Sequence, residues 1–401
     1  MSTPTPPPEG FLARASVALL ERLDAFVDRV ATEIERTVPV YGPGAEVSPE
    51  ELRRTTRENL QAVFGYLAGN PGSGTAAPHG TGQRRAEHGV PLPAILRAFR
   101  IGSGVIWDEL VTMAGADPES NRELLTRATD IWKLVDDYSQ ALTAGYQEMV
   151  TEQLRRDARA QDAALDAVLG GQADGPRLWE CARTLGLPVQ GEFVVVMAAT
   201  GNATEEALPG IDKALSMLGV ASAWRVRADH HIGIVTLTAR FTQARLQGML
   251  SERAVGRVGI GSPFGGLAEA VTGLRQAELA CAATQPGSRE VLRYSDALIQ
   301  VLLVGSPETA VTLTGTVLGP LLALPDHDRD VLLDTVRAWF THDGEVSAIA
   351  AALFCHRNTV RFRLNRVAEL TGRRLTAPHA ATEIHLALEA HRLLAGTAAE
   401  R

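Results

Sequence analysis

The chain has 401 residues, a formal charge of −8, 45% apolar residues and 5% aromatic ones. That length predicts two or three domains with sizeable cores, and no run of roughly eighteen apolar residues marks a membrane span. The negative balance excludes a protein that coats nucleic acid nonspecifically, but not one with a local basic site.

The opening MSTPTPPPEG lacks the basic region and apolar core of a secretory signal. Its prolines predict a disordered tail over 1–10. Residues 11–170 read as a helical domain that senses or dimerises. Leu12, Leu19, Leu20, Leu23, Phe26, Val27 and Val30 fall at helical spacing. Asn70 to Gly89, rich in Gly, Pro, Ser and Thr, predicts a loop. Apolar residues return at Ile95, Leu96, Phe99, Val105, Ile106 and Leu110. A long helix is expected over Arg122 to Leu169. Its stripe of Ile131, Leu134, Tyr138, Leu142, Tyr146, Met149 and Leu154 suits either a coiled-coil dimer seam or a core-facing face.

Composition shifts after GGQADGP, and residues 171–297 predict an α/β domain. FVVVMAA reads as a strand, Ile211 to Leu218 as a helix, and AWRVRADHHIGIVTLTA as two strands around a turn near Asp229. A helix near Thr242 to Ser251, the short strand RVGIG and a helix over Leu267 to Ala283 complete the alternation. Gly259, Gly261, Gly265 and Gly266 miss the dinucleotide fingerprint by a residue, and no Lys-Ser/Thr follows as in a P-loop. They read as a strand-to-helix turn. His230 and His231 are adjacent, so a strand points them to opposite faces, a poor arrangement for a metal. Cys181, Cys281 and Cys355 are odd in number and far apart, so no disulfide framework or metal set is expected, and a reduced cytoplasmic setting fits.

Residues 298–325 read as a helical connector and 326–395 as a small helical bundle. Leu332, Leu333, Val336, Trp339 and Phe340 form the apolar side of an amphipathic helix. His342-Asp343-Gly344 ends it, and Ser347 is the expected N-cap of the next helix. Ala350 and Ala351 there would let a neighbouring helix approach. After a break at Cys355-His356 comes a helix whose Val360, Leu364 and Val367 fall at i, i+4 and i+7. Asn358, Phe362, Asn365 and Arg366 lie roughly opposite that stripe, with Arg357, Arg361 and Arg363 beside it. Arg and Asn can pair with guanine and adenine edges. No acid interrupts Arg357 to Val367. The alternative is a surface helix with solvated arginines.

The segment EVSAIAAALFCHRNTVRFRLNRVAELTGRRL resembles the C-terminal helix-turn-helix of PucR/CdaR-type bacterial transcriptional regulators, with HRNTVRFRL its most specific part. PHAATEIHLALEAHRLL resembles that family's closing helix. VGIGSPFGGLAEAVTGLRQAELACAA followed by VLRYSDA is similar to the last part of the family's GGDEF-like domain. HGVPLPAILRAFRIGSGVIWDEL resembles, more loosely, the helical N-terminal module of RsbR-type stress regulators. The resemblance implies an all-α N-terminal domain, a central degenerate GGDEF-like α/β domain and a C-terminal helix-turn-helix bundle. FVVVMAAT carries no Asp and RADHHIG lacks the glycine pair and adjacent acids, so a Mg²⁺-dependent cyclase site is not expected.

The resulting expectation is a cytoplasmic, non-enzymatic regulator that binds double-stranded DNA as a homodimer or higher even oligomer, without a cofactor or metal. Its DNA-contacting residues would be Ser347, His356, Arg357, Asn358, Thr359, Arg361, Phe362, Arg363 and Arg366. Arg363, Arg366, Arg373 and Arg374 would favour phosphates. A small-molecule effector is expected at the N-terminal or central domain, and Arg97, Arg100, Trp107 and Tyr138 could line its pocket. The rival readings are a protein-interaction scaffold of a stress pathway and a nucleotide cyclase or phosphodiesterase.

Overall fold

The computed structural model describes residues 10–42, 44–70, 74–199, 206–226, 230–285 and 287–398, with side chains to 394. The tail and the turn at Asp229 lie outside the described residues. The chain divides into two compact units between Ala158 and Arg159.

The first unit is all helical: α1 (Phe11–Glu21), α2 (Leu23–Thr37), α3 (Pro49–Leu67), α4 (Ala76–Glu87), α5 (Leu92–Ala114) and most of α6 (Pro118–Leu169). Local chemistry sets the helix starts. The Ser48 hydroxyl accepts from the Glu51 N–H at 3.1 Å, with Pro49 at the first helical position and Glu50 and Glu51 in the first turn. The first N–H groups of α1 donate instead to a distant carboxylate, Glu123, from Phe11 at 2.5 Å and Leu12 at 3.1 Å.

One expectation changes here, and one of two alternatives is favoured. The predicted loop from Asn70 to Gly89 contains α4, because its glycines serve packing rather than turning. A Cβ on Gly82 would lie 2.0 Å from the Leu142 carbonyl oxygen. A Cβ on Gly145 would lie 2.2 Å from that of His79, so α4 and α6 touch backbone to backbone. Packing at that distance outweighs the low helix propensity of glycine. The α6 stripe is core-facing: Ile131, Leu134, Tyr138 and Leu142 are buried within this unit, whereas Leu154 is exposed.

The second unit begins with the end of α6 and α7 (Gly175–Leu185). It continues through β1 (Gln190–Ala199), α8 (Ile211–Met217), β2 (Ser222–Val226), β3 (His230–Leu237), α9 (Gln243–Arg253), β4 (Arg257–Ile260), β5 (Phe264–Gly266), α10 (Ala270–Ala282) and β6 (Val291–Arg293). The strands form one mixed sheet in the order β2-β3-β1-β4-β6, with β5 also paired to β1. Among the described strands only β4 and β6 pair in parallel. Strand β1 is central, and its alternation serves two cores. Phe193 and Val195 pack with Leu165, Val168, Cys181, Leu185 and Ala277. Val194, Val196 and Ala198 pack with Ile211, Leu215, Leu246 and Leu250. Helices cover both faces, which explains why β1 is an unbroken apolar run.

Gly259 is a packing glycine. A Cβ there would meet the Ala277 carbonyl oxygen at 2.1 Å, so α10 lies directly on β4. In β3 the two histidines separate as alternation requires: His231 is buried against the edge of Trp224, while His230 is partly exposed.

The C-terminal helices are α11 (Leu298–Val304), α12 (Pro307–Leu322), α13 (Asp326–Thr341), α14 (Val346–Ala352), α15 (Arg357–Thr371) and α16 (Pro378–Ala398). The segment expected as a connector is helical but is built into this bundle. Val317, Leu318 and Leu321 of α12 share a core with Leu332, Val336, Val367, Ile384 and Leu388. Among the described residues no single helix is long and apolar enough to cross a membrane.

Candidate nucleic-acid interface

Helices α14 and α15 meet across a four-residue turn, Leu353 to His356. Ile349 and Ala350 pack with Val360 and Ala338, fixing α14 against α13 and α15. Ala350 gives the close approach expected of it, whereas Ala351 is exposed. The turn is held by the Cys355 N–H donating to Ala350 O at 2.9 Å and the Phe354 N–H donating to Ala351 O at 3.3 Å. Cys355 is partly buried among these residues, as a small packing residue should be.

His356 caps α15. Its Nδ1 accepts from the Asn358 N–H at 3.2 Å. The other end stops at Gly372, whose φ of 67° is the left-handed conformation that closes helices. Along α15, Val360 and Val367 are fully buried and Leu364 packs between them. Arg357, Asn358, Arg361, Phe362, Asn365 and Arg366 are exposed, with Thr359 and Arg363 at the margin. The predicted split of the helix into a core stripe and an Arg/Asn face is what the structure contains.

The charges on that face differ in availability. The side chains of Arg357, Arg361 and Arg363 make no ion pair or hydrogen bond with another described residue. Arg366 pairs with Glu369 at 3.1 Å, on an exposed surface where such a pair contributes little. Arg373 is committed to structure: its Nε donates to Glu383 at 2.6 Å and its Nη1 to Thr371 O at 2.9 Å. This tie, between the end of α15 and α16, holds the Glu383 carboxyl below its usual range. Arg373 is therefore poorly placed to serve a phosphate, while the neighbouring Arg374 is exposed.

Ser347 is not the N-cap it was expected to be. Helix α14 starts at Val346, with Glu345 in the cap position and no side-chain cap bond. Asp343 (φ 49°) and Gly344 (φ 76°) turn the chain sharply, and the Gly344 N–H donates to Trp339 O, so the helix begins before Ser347. Ser347 remains exposed in the first turn of α14.

One residue of this surface escaped the sequence reading. Phe354 sits in the turn with φ of 51° and is 97% exposed, and Phe362 of α15 is 70% exposed. A bulky side chain at positive φ is strained, and two exposed phenylalanines next to unpaired arginines are costly without a partner.

Comparison with known proteins fits this geometry. Residues 332–390 match the PucR C-terminal helix-turn-helix domain. Residues 170–283 match the GGDEF-like domain, and 24–161 match the RsbT co-antagonist protein rsbRD N-terminal domain. Together the three matches give the domain make-up of multidomain transcriptional regulators, and the C-terminal bundle is similar to the helix-turn-helix of PucR/CdaR-type regulators. The chain is 50% identical over 54 residues to the carbohydrate diacid regulator of Escherichia coli K12, a stretch covering 13% of this chain and 14% of that protein. It is 25% identical over 284 residues to an uncharacterized protein of Mycobacterium tuberculosis H37Rv, covering 67% of this chain and 66% of that one. The chain thus spans less than two thirds of the length of either relative. A crystal structure of a regulator of polyketide synthase expression from Bifidobacterium adolescentis is 21% identical, covers 59% of this chain and 98% of its own, and has a TM-score of 0.32.

Proposed function

We propose that this regulator binds duplex DNA as a homodimer or higher even oligomer, with the exposed face of α15 in the major groove. Arg357, Asn358, Thr359, Arg361 and Phe362 address base edges. Arg363, Arg366 and Arg374, with Ser347 and His356 at the helix starts, address the backbone. The observation that carries this reading is the row of unpaired arginines and asparagine on a helix whose opposite side is locked into two cores. A single helix-turn-helix reads few bases, so a two-fold pair lengthens the site.

In this reading the central domain is a scaffold without cyclase activity, since its first strand carries no Asp, the RADHHIG segment lacks the glycine pair and adjacent acids, and Gly259 and Gly261 are packed against α10. The protein acts in the cytoplasm, where its DNA is, and an effector bound by the N-terminal domain sets its activity.

The direct test is binding of the full chain to DNA from upstream of its own gene, against scrambled duplex, at about 50 and 200 mM salt. The expected result is selective binding whose affinity falls steeply across that range. Binding that ignores sequence and salt overturns the reading. Formation of a cyclic dinucleotide from GTP and Mg²⁺ overturns the non-enzymatic assignment.

A further inference from the structure

The first unit contains a partly open cavity of about 100 Å³ between α2, α3, α4, α5 and α6. Its walls are mostly apolar, but one end carries Arg85, Thr55, Asn59 and Thr81. Arg85 is only 1% exposed, a position a guanidinium rarely occupies without strong pairing. Its Nη2 donates to the Thr55 hydroxyl at 2.6 Å, and its guanidinium lies 5.5 Å from the centre of the Tyr41 ring. Its Nη1 makes no hydrogen bond among the described residues and has only a loose ion pair with Glu51 Oε1 at 3.5 Å, an oxygen that accepts no hydrogen bond itself.

The same end leaves an acceptor open. Asn59 donates its amide to Thr55 O and to the Thr81 hydroxyl, both at 2.8 Å, which fixes the amide orientation and leaves Oδ1 without a partner. A buried donor and a buried acceptor without hydrogen bonds, on two residues that line one cavity, each cost free energy unless a guest completes them.

We propose that this cavity is the effector site, and that it takes a small monocarboxylate with an apolar body, its carboxylate on Arg85 Nη1. Size limits the body. Apolar cavities of about 150 Å³ hold a benzene ring, so this one suits a chain of roughly four to six carbons. Charge sets the head. Arg85 presents a fork that matches a carboxylate, and shares Glu51 with Arg54 and Arg84, so Glu51 does not neutralise it alone. Arg97 and Arg100, the arginines expected to line a pocket, are exposed, whereas Trp107 and Tyr138 do line it. That the guest controls DNA binding rests on the regulator reading above; that it binds does not.

The experiment is isothermal titration of the full chain, without DNA, with isovalerate and with the neutral isopentanol, alongside Trp fluorescence as a reporter of Trp107. Isovalerate should bind saturably and at least about tenfold more tightly than the alcohol, a gap of one charge-assisted hydrogen bond. Arg85→Met should abolish that preference. Gly102→Leu, which fills the cavity from α5 and leaves Arg85 in place, should abolish binding of both. Equal binding of acid and alcohol, no binding of isovalerate up to about 10 mM, or unchanged binding by Gly102→Leu each overturn the proposal. A failure of DNA binding with isovalerate still bound would fall on the regulator reading alone.

Discussion

The Nδ1 of His356 accepts the backbone N–H of Asn358 at 3.2 Å, so a side chain of the turn also caps the helix proposed to enter DNA. Removing a cap costs about 0.5–2 kcal/mol. His356→Ala should lower the unfolding free energy of the C-terminal bundle in urea by that amount, and His356→Asn should restore most of it. An Ala variant as stable as the wild type would remove the cap from the account.

Phe354 should show a trade between stability and function. Its φ of 51° costs on the order of 1 kcal/mol, which glycine would not bear. Phe354→Gly should therefore match or exceed the wild type in thermal stability while binding duplex more weakly. A variant that is less stable and binds DNA as well as before would place Phe354 in the core's service, contrary to its exposure.

How much of this was legible follows from what each signal depends on. The two faces of α15 could be read because Val360, Leu364 and Val367 repeat at helical spacing within one segment. The α4 helix could not, because its glycines look like loop residues until Leu142 and His79 are known to lie against them. Arg85 was missed although a local signal existed: it follows Pro78, Thr81 and Gly82 on the buried side of α4. Arg97 and Arg100 fall off the Ile95 and Ala98 stripe, and that spacing alone points them outward. Phe354 gave no sign, since positive φ at a phenylalanine follows from the turn that joins two helices.

Two histidines make stability depend on pH. Burial pushes the His231 imidazole below its ordinary value of 6.5, with Asp212 opposing weakly. Burial, aided by Arg337 and Arg329, lowers His391 in the same way. A depressed histidine is neutral when folded, and the unfolded chain takes up the proton first. The stability is therefore intact above 6.5 and declines as pH falls below it. Urea midpoints should drop between about pH 7.5 and 5.5, and His231→Phe should flatten part of that slope. A midpoint that rose on acidification would contradict the burial.

The cysteines should separate by reactivity. Cys281 is 3% exposed, and burial pushes its thiol up to about 11, so it holds almost no thiolate near neutrality. Iodoacetamide at about pH 8 should label Cys355, which is partly exposed, well before Cys281. Early labelling of Cys281 in the native chain would mean that the packing of α10 on β4 opens readily.

The central claim is that the outer face of α15 reads bases. The measurement that tests it most directly compares wild type and Arg361→Ala over a pool of duplexes selected by the wild type. If Arg361 makes a paired contact to a base, the variant loses about 1–3 kcal/mol on selected sites and relaxes its preference at one position in each half-site. An equal loss on every sequence would reassign Arg361 to the backbone, and no loss at all would mean that α15 does not enter the groove.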